Sequence, residues 1–185
     1  GYNEVNFSDV AQTAWYNNAV TFLAAREIVN GVGENKFAPE NNITRADFLI
    51  MVMNSFEIEL DTEIVTNFDD AGNKYYSRYL GTAKRMGLVL GTGENKYSPE
   101  ANISRQDMFV ILYRILQKLD ELPTSVEAKS LESFNDAGDI AVYAKDAMKL
   151  FVEAGIVYGD GENLMPKATS TRAEAAQVLY NLLSE

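Results

Sequence analysis

The sequence predicts an all-α fold made of three helix-loop-helix repeats, and two observations carry this prediction. First, residues 31–45 (GVGENKFAPENNITR) and 91–105 (GTGENKYSPEANISR) share ten of fifteen positions, and residues 159–172 form a third, diverged copy. Second, apolar residues recur at helical spacing on both sides of these loops, while no strand pattern extends beyond short aliphatic pairs.

The first helix of each repeat follows a Phe-x-Asp motif and ends at an aliphatic pair. The motifs begin at Phe7, Phe68 and Phe134. The aliphatic pairs are at residues 28–29, 88–89 and 156–157. In repeat 1, one apolar face of this helix is marked by Ala19, Val20 and Leu23.

The second helix of each repeat follows the shared loop and begins near Thr44, Ser104 or Thr171. In repeat 1 its apolar stripe consists of Phe48, Leu49, Val52 and Phe56. Residues 57–67 and 117–133 connect the repeats; they are more polar and weakly periodic, so we expect at most short helices there.

A single hairpin of this kind cannot bury its own apolar stripe, whereas three can share one core. We therefore expect the repeats, at residues 1–60, 61–120 and 121–185, to form one compact unit. Because no capping sequences are evident, a closed, pseudo-threefold arrangement is favoured over an open solenoid.

Composition excludes several classes of function. The 185 residues contain no Cys and no His, which removes disulfides, thiolate zinc sites and Ser-His-Asp triads. A net charge of −11 argues against nucleic acid as a partner. No apolar run is long enough to span a membrane. The fragment at residues 159–163 lacks the ligand ladder of a calcium loop. We expect no metal and no cofactor.

Each second helix begins with Ser/Thr-Arg-x-acid, which is typical of a capping box. Capping explains the hydroxyl and the acid but not the arginines at the first helical position, because the helix dipole disfavours a cation there. These arginines are Arg45, Arg105 and Arg172. Two explanations remain: a salt bridge to the neighbouring repeat, or an anion site in which the arginine and free helix amides bind a carboxylate or phosphate. We favour the anion site.

Two further sets of repeated residues have both a structural and a ligand-binding interpretation. The aspartates of the opening motifs either cap a turn or accept hydrogen bonds from ligand hydroxyls; they are Asp9, Asp70 and Asp136. The aromatic residues that follow them either pack at the edge of the core or offer a flat face to a sugar ring; they are Trp15, Tyr75 and Tyr143.

Taken together, these motifs resemble three tandem S-layer homology (SLH) domains. The resemblance covers about residues 7–183 and depends on the Phe-x-Asp openings, Trp15 with Tyr16, the aliphatic pairs and the three Thr/Ser-Arg-x-acid tetrads. It implies a pseudo-trimer whose second helices build a central bundle, with grooves between neighbouring repeats.

The resemblance also implies a function. SLH domains anchor S-layer proteins and surface enzymes non-covalently to secondary cell wall polymers outside the bacterial cell. In many members the ligand is a terminal N-acetylmannosamine with a 4,6-linked pyruvate ketal, whose carboxylate the tetrad arginine contacts. That role maps to Arg45, Arg105 and Arg172. We therefore expect a cell wall polysaccharide as partner, attachment to a larger surface protein, and no catalysis.

One departure from the family pattern concerns the end of the first helix, where SLH domains usually have Gly. Gly87 and Gly155 keep this residue and are candidate ligand contacts, whereas repeat 1 has Glu27. Because Glu adopts a left-handed helix end less readily than Gly, we expect the groove next to Glu27 to be weak or altered. The alternative function is a surface-assembly module without a glycan site.

Overall fold

The computed structural model describes residues 4–184, and this part of the chain contains six α-helices and no β-strand. The helices are α1 (Asn17–Ala25), α2 (Arg45–Ser55), α3 (Ser77–Met86), α4 (Arg105–Lys118), α5 (Lys145–Glu153) and α6 (Arg172–Leu183). Three short 3₁₀ turns precede α5, at Leu131–Ser133, Ala137–Asp139 and Val142–Ala144. The all-α prediction is confirmed, with two main helices in each repeat.

The predicted hydroxyl caps start all three second helices. Thr44 accepts a hydrogen bond from the Asp47 amide at 3.1 Å, and Ser104 accepts one from the Asp107 amide at 3.2 Å. In α6 the box is complete, because the Glu174 carboxylate also reaches back to the Thr171 amide at 3.2 Å. The shorter side chains of Asp47 and Asp107 turn to other partners, described below.

The helices pack in an order that returns to its starting point. Each first helix lies against the second helix of the preceding repeat: α3 against α2, and α5 against α4. Helix α1 lies against α6, so repeat 1 also contacts repeat 3. Helix α2 also contacts both α4 and α6. The apolar stripes of the six helices thereby join one buried core.

A cycle of backbone hydrogen bonds links the three repeats just before their second helices. Ile43 N donates to Ser170 O at 2.9 Å, and Ile103 N donates to Ile43 O at 3.1 Å. Ser170 N donates to Ile103 O at 3.2 Å and completes the cycle. Each repeat is therefore bonded to both of the others, and removing one would leave buried backbone groups unpaired.

The polar segment between repeats 1 and 2 is an irregular loop without a helix, and side chains of α3 hold it. The Asp61 amide donates to Thr82 Oγ1 at 3.0 Å, and the Asp61 carboxylate pairs with Arg85 through two hydrogen bonds of 2.6 and 2.8 Å. No helix in the described part of the chain is both long and apolar enough to cross a membrane.

Candidate ligand-binding clefts between repeats

Each tetrad arginine extends from its own helix into a neighbouring repeat. The Nε atoms donate to loop carbonyls: Arg45 to Tyr97 at 2.9 Å, Arg105 to Leu164 at 2.9 Å and Arg172 to Phe37 at 2.8 Å. Two guanidinium groups also lie over the ring of the same loop residue, at 4.7 Å for Arg45 and 4.8 Å for Arg172. The arginines are therefore largely buried and fixed in place.

Each arginine also pairs with the acidic residue of another tetrad. The Arg45–Asp107 distance is 3.0 Å and the Arg105–Glu174 distance is 2.6 Å. The Arg172–Asp47 distance is longer, at 3.7 Å. The salt-bridge explanation of these arginines is thus confirmed, and it accounts for a cation at the unfavourable end of a helix dipole. The predicted contact of the arginines with a ligand is a separate question.

The helix amides are not free, and the predicted anion site must be corrected on this point. In α2, the Arg45 amide donates to Ala101 O and the Ala46 amide donates to Pro99 O, both at 2.9 Å. The third amide is taken by the Thr44 cap. Helices α4 and α6 repeat this pattern with the loops of repeats 3 and 1. Since neighbouring carbonyls already accept from these amides, they are not available to an anion.

The aspartates of the opening motifs each hold two amides of the shared loop in their own repeat. Asp9 accepts from Phe37 N at 2.9 Å and Ala38 N at 2.8 Å. Asp70 and Asp136 make the same pairs of bonds in repeats 2 and 3. Partial burial raises the pKa of Asp9 and Asp70, but the amide hydrogen bonds outweigh it and leave both pKa values below the ordinary 3.8. These residues cap a turn, and a ligand contact by them stays a prediction.

The aromatic residues are exposed, and two of them complete the arginine–acid pairs. Tyr75 donates its hydroxyl hydrogen bond to Asp47 at 2.5 Å, and Tyr143 donates to Asp107 at 2.6 Å. Partial burial and the neighbouring carboxylate raise the pKa of Tyr143 to about 12, and the pKa of Tyr75 rises for the same reasons. Trp15 has no hydroxyl to donate; its ring packs edge-on against Tyr16 at 5.1 Å.

Two of these constellations line clefts between repeats. The first cleft, of about 460 Å³, is lined by Arg172, Asp47, Tyr75 and residues 28–32. The second cleft, of about 380 Å³, is lined by Arg45, Asp107, Tyr143 and residues 89–92. The sequence thus predicted the arginine and the aromatic residue that the fold brings together in each cleft. Asp9 and Asp70 lie behind the shared loops and line neither cleft.

Each cleft continues along its second helix into an outer part. The outer part of the first cleft, of about 510 Å³, is lined by Glu27, Asn54 and Glu57 among others. The outer part of the second cleft, of about 480 Å³, is lined by Gly87, Arg114 and Lys118 among others. Asn54 lines both parts of the first cleft and Arg114 lines both parts of the second, so the inner and outer parts lie next to each other.

Gly87, Gly155 and Glu27 end their helices with the same turn despite their different side chains. Their φ angles are +71°, +75° and +59°. In each case the next residue donates to the carbonyl five positions back, as Ile28 N does to Leu23 O at 2.9 Å. Glu27 therefore adopts the expected conformation at a strain of about 1 kcal/mol. Gly155 differs in another way, because a Cβ placed there would lie 3.4 Å from Ala128 of the connecting segment.

Comparison with known families matches the S-layer homology domain at residues 6–49, 67–109 and 133–176, which is well over half of the chain. The chain belongs to the S-layer homology domain family. Each SLH match lies inside one of the three predicted repeats, whose outer limits stay a prediction. The family and its S-layer relatives indicate a location at the cell wall or surface layer.

The similar proteins are long chains of which this SLH unit spans a small part. Exoglucanase XynX of Acetivibrio thermocellus is 30% identical over 98% of this chain, which covers 16% of that protein. Amylopullulanase of Thermoanaerobacterium thermosulfurigenes is 29% identical over 97% of this chain and 10% of its own. S-layer protein sap of Bacillus anthracis is 28% identical over 94% of this chain and 20% of its own.

Sequence reasoning singled out Gly87 and Glu27, which line the outer parts of the SLH clefts, but it missed the charged and polar side chains beside them. Arg114 and Lys118 lie nine and thirteen positions after the tetrad arginine of α4. Asn54 and Ile58 lie the same distances after Arg45, with Asn54 inside α2 and Ile58 three residues beyond its end. Comparing the two second helices position by position beyond the tetrad would have revealed this difference, since the repeat offset of 60 continues through both helices.

Proposed function

We propose that this SLH chain anchors a surface protein non-covalently to the bacterial cell wall by binding a secondary cell wall polymer. The observation that carries the proposal is the pair of inter-repeat clefts, each with a fixed arginine and an exposed tyrosine. A volume near 400 Å³ suits one substituted sugar. Membership of the SLH family and the similarity to S-layer proteins support an anchoring role.

The preferred ligand in this proposal is a terminal N-acetylmannosamine that carries a pyruvate ketal. Within the described residues, Arg45 uses Nε and Nη1 for hydrogen bonds to protein groups. Its Nη2 is left to donate to the ketal carboxylate, which strengthens that bond through charge. The face of Tyr143 packs on the sugar ring. Because the chain carries a net charge of −11, affinity for an anionic polymer comes from these local contacts rather than from long-range attraction.

Calorimetric titration with the pyruvylated sugar and its pyruvate-free counterpart tests the proposal. We expect binding of the pyruvylated form alone. Tyr143→Ala should weaken binding in the second cleft, whereas the matched control Val142→Ala should not, since Val142 is 85% exposed and does not line the cleft. Failure of both sugars to bind would reject this ligand assignment.

A second candidate function is surface assembly without a glycan site. The observation that favours it is that salt bridges between repeats already explain the arginines. Sedimentation analysis distinguishes the two functions, because an assembly module associates with rising concentration in the absence of polymer. In either case we propose no catalytic role for the SLH chain itself, since it covers only 16% of the exoglucanase and 10% of the amylopullulanase.

A further inference from the structure

The outer part of the second cleft carries positive charge in a chain that is otherwise strongly acidic. Its charged lining residues are Arg114, Lys118 and Asp146, which sum to +1. The charged residues that line the outer part of the first cleft are Arg26, Glu27 and Glu57, which sum to −1. Against a net charge of −11 for the whole chain, the second cleft is a local site of opposite sign.

The two cationic side chains of the second cleft are unpaired within the described residues. Within residues 4–184, neither Arg114 nor Lys118 makes a side-chain hydrogen bond or an ion pair. In the first cleft the position of Arg114 is taken by Asn54, which donates to Ile28 O and accepts from the Tyr79 hydroxyl. In the first cleft the Asn54 side chain is therefore engaged in internal hydrogen bonds, at the position where the second cleft offers the unpaired donors of Arg114.

Lys118 lies beside the bare backbone of the helix end at Gly87. A Cβ at residue 87 would lie 3.7 Å from the Lys118 ammonium nitrogen, which is an ordinary contact distance, so the lysine side chain packs directly over this turn. In the first cleft a carboxylate side chain, Glu27, occupies the position of Gly87, and Ile58 occupies that of Lys118. At three matched sequence positions, the first cleft has an acidic or neutral side chain where the second cleft has glycine or a basic side chain.

We propose that the outer part of the second cleft is a subsite for a second anionic group of the wall polymer, a phosphate or a carboxylate next to the terminal sugar. This inference rests on the proposed function and assigns the additional recognition to Arg114 and Lys118. Arg114 lines both the inner and the outer part, so it lies where a polymer leaving the inner part would pass. The guanidinium fork and the ammonium group match the oxygens of either anion.

The test compares two ligands that share the pyruvylated N-acetylmannosamine but differ in the second anion. One is the methyl glycoside, and the other is the glycosyl phosphate. Calorimetry gives the affinity, and NMR shifts of the Gly87 and Glu27 amides show which cleft responds. We expect the phosphate to bind about tenfold more tightly in the second cleft, as two partly exposed charge pairs allow. A disaccharide whose second sugar is a uronic acid distinguishes carboxylate from phosphate recognition.

Paired variants make the test specific. The double variant Arg114→Asn with Lys118→Ile installs the residues of the first cleft, and the ratio of the two affinities should fall to about one. The control Lys145→Asn with Lys149→Asn removes the same charge from exposed positions of α5 and should keep the ratio. The converse variant, Asn54→Arg with Ile58→Lys, should create a preference for the phosphate in the first cleft.

The outcomes separate this inference from the proposed function. Equal affinity for both ligands, or an equal gain in the first cleft, would overturn the subsite and leave the proposed function standing. Binding of neither ligand would reject both. A loss of the phosphate preference in the α5 control as well would also overturn the subsite, because net charge alone would then explain the gain.

Discussion

The inner parts of the first and second clefts share an arginine, an aspartate and a tyrosine, whereas the outer parts differ in charge. The inner arginine and acid are largely buried, bonded to one another and held by a neighbouring loop. In the outer parts, Asn54 of the first cleft is hydrogen-bonded, whereas Arg114 and Lys118 of the second cleft have no side-chain hydrogen bond or ion pair among residues 4–184. Repeats can therefore keep the positions that join them unchanged and vary ligand preference at the positions next to them.

The arginine–acid pairs themselves differ between the clefts, and their removal should have the largest effect. Arg45 lies 3.0 Å from Asp107, whereas Arg172 lies 3.7 Å from Asp47. We expect Arg45→Ala to lower the free energy of unfolding by about 3 kcal/mol, because Asp107 and the Tyr97 carbonyl lose a buried partner. Arg172→Ala should cost about 2 kcal/mol. Urea denaturation measures both values.

Arg114→Ala is the control for this pair of variants, since Arg114 has no bonded partner among the described residues and its loss should change stability by less than about 0.5 kcal/mol. Equal losses for Arg45→Ala and Arg172→Ala would show that the shorter distance in the second cleft has no energetic meaning.

The loop-capping aspartates provide a second comparison, in which repeats 1 and 2 should behave alike. Asp9→Asn and Asp70→Asn each replace an oxygen that accepts a backbone amide, and each should cost about 2 kcal/mol. Both carboxyl pKa values lie below the ordinary 3.8, so the stability they contribute is present above about pH 4 and is lost as the pH falls through the lowered folded-state values.

Denaturation between pH 2 and pH 7 checks this sign. The parent chain should lose stability at the acid end of that range, and each Asn variant should show a shallower loss because one contributing carboxylate is gone. A variant that keeps the full acid dependence of the parent would mean that its aspartate does not contribute to it.

The turn that ends the first helix has a positive φ in both repeats. Glu27 is strained in this conformation in repeat 1, whereas Gly87 adopts it readily in repeat 2. Glu27→Gly should raise stability by about 0.5–1 kcal/mol, and Gly87→Glu should lower it by about 1 kcal/mol or more, because both positions have a positive φ. Thermal unfolding measures both. Glu59→Gly, at a position without a positive φ, should not stabilise the chain, and a gain there would point to a general effect of removing acid.

Local signals predicted the parts of this molecule that depend on local chemistry. The starts of α2, α4 and α6 were correct because a hydroxyl followed three residues later by an acid specifies a cap wherever the chain goes. The prediction that the helix amides are free to bind an anion was wrong. Their acceptors, such as Ala101 O and Pro99 O, come from a loop more than fifty positions away in the sequence. The packed helices show that Arg114 faces a cleft, whereas the sequence could have singled it out only through its difference from Asn54 at the matched position of repeat 1.

Removing a tyrosine hydroxyl should have the smallest effect on stability. This hydroxyl is present at Tyr75 and Tyr143 in the two clefts but absent from Trp15, the matching residue of repeat 1. Tyr143→Phe removes a 2.6 Å hydrogen bond to Asp107 at an exposed site, so we expect a loss of about 0.5 kcal/mol at neutral pH. The folded-state pKa of Tyr143 is raised to about 12 from 10.0, so its contribution is complete below pH 10 and is lost as the pH rises towards 12. Absorbance titration of the phenolate should show one late-ionising tyrosine fewer in Tyr143→Phe, while Trp15→Phe should leave that titration unchanged because Trp15 has no phenol to lose.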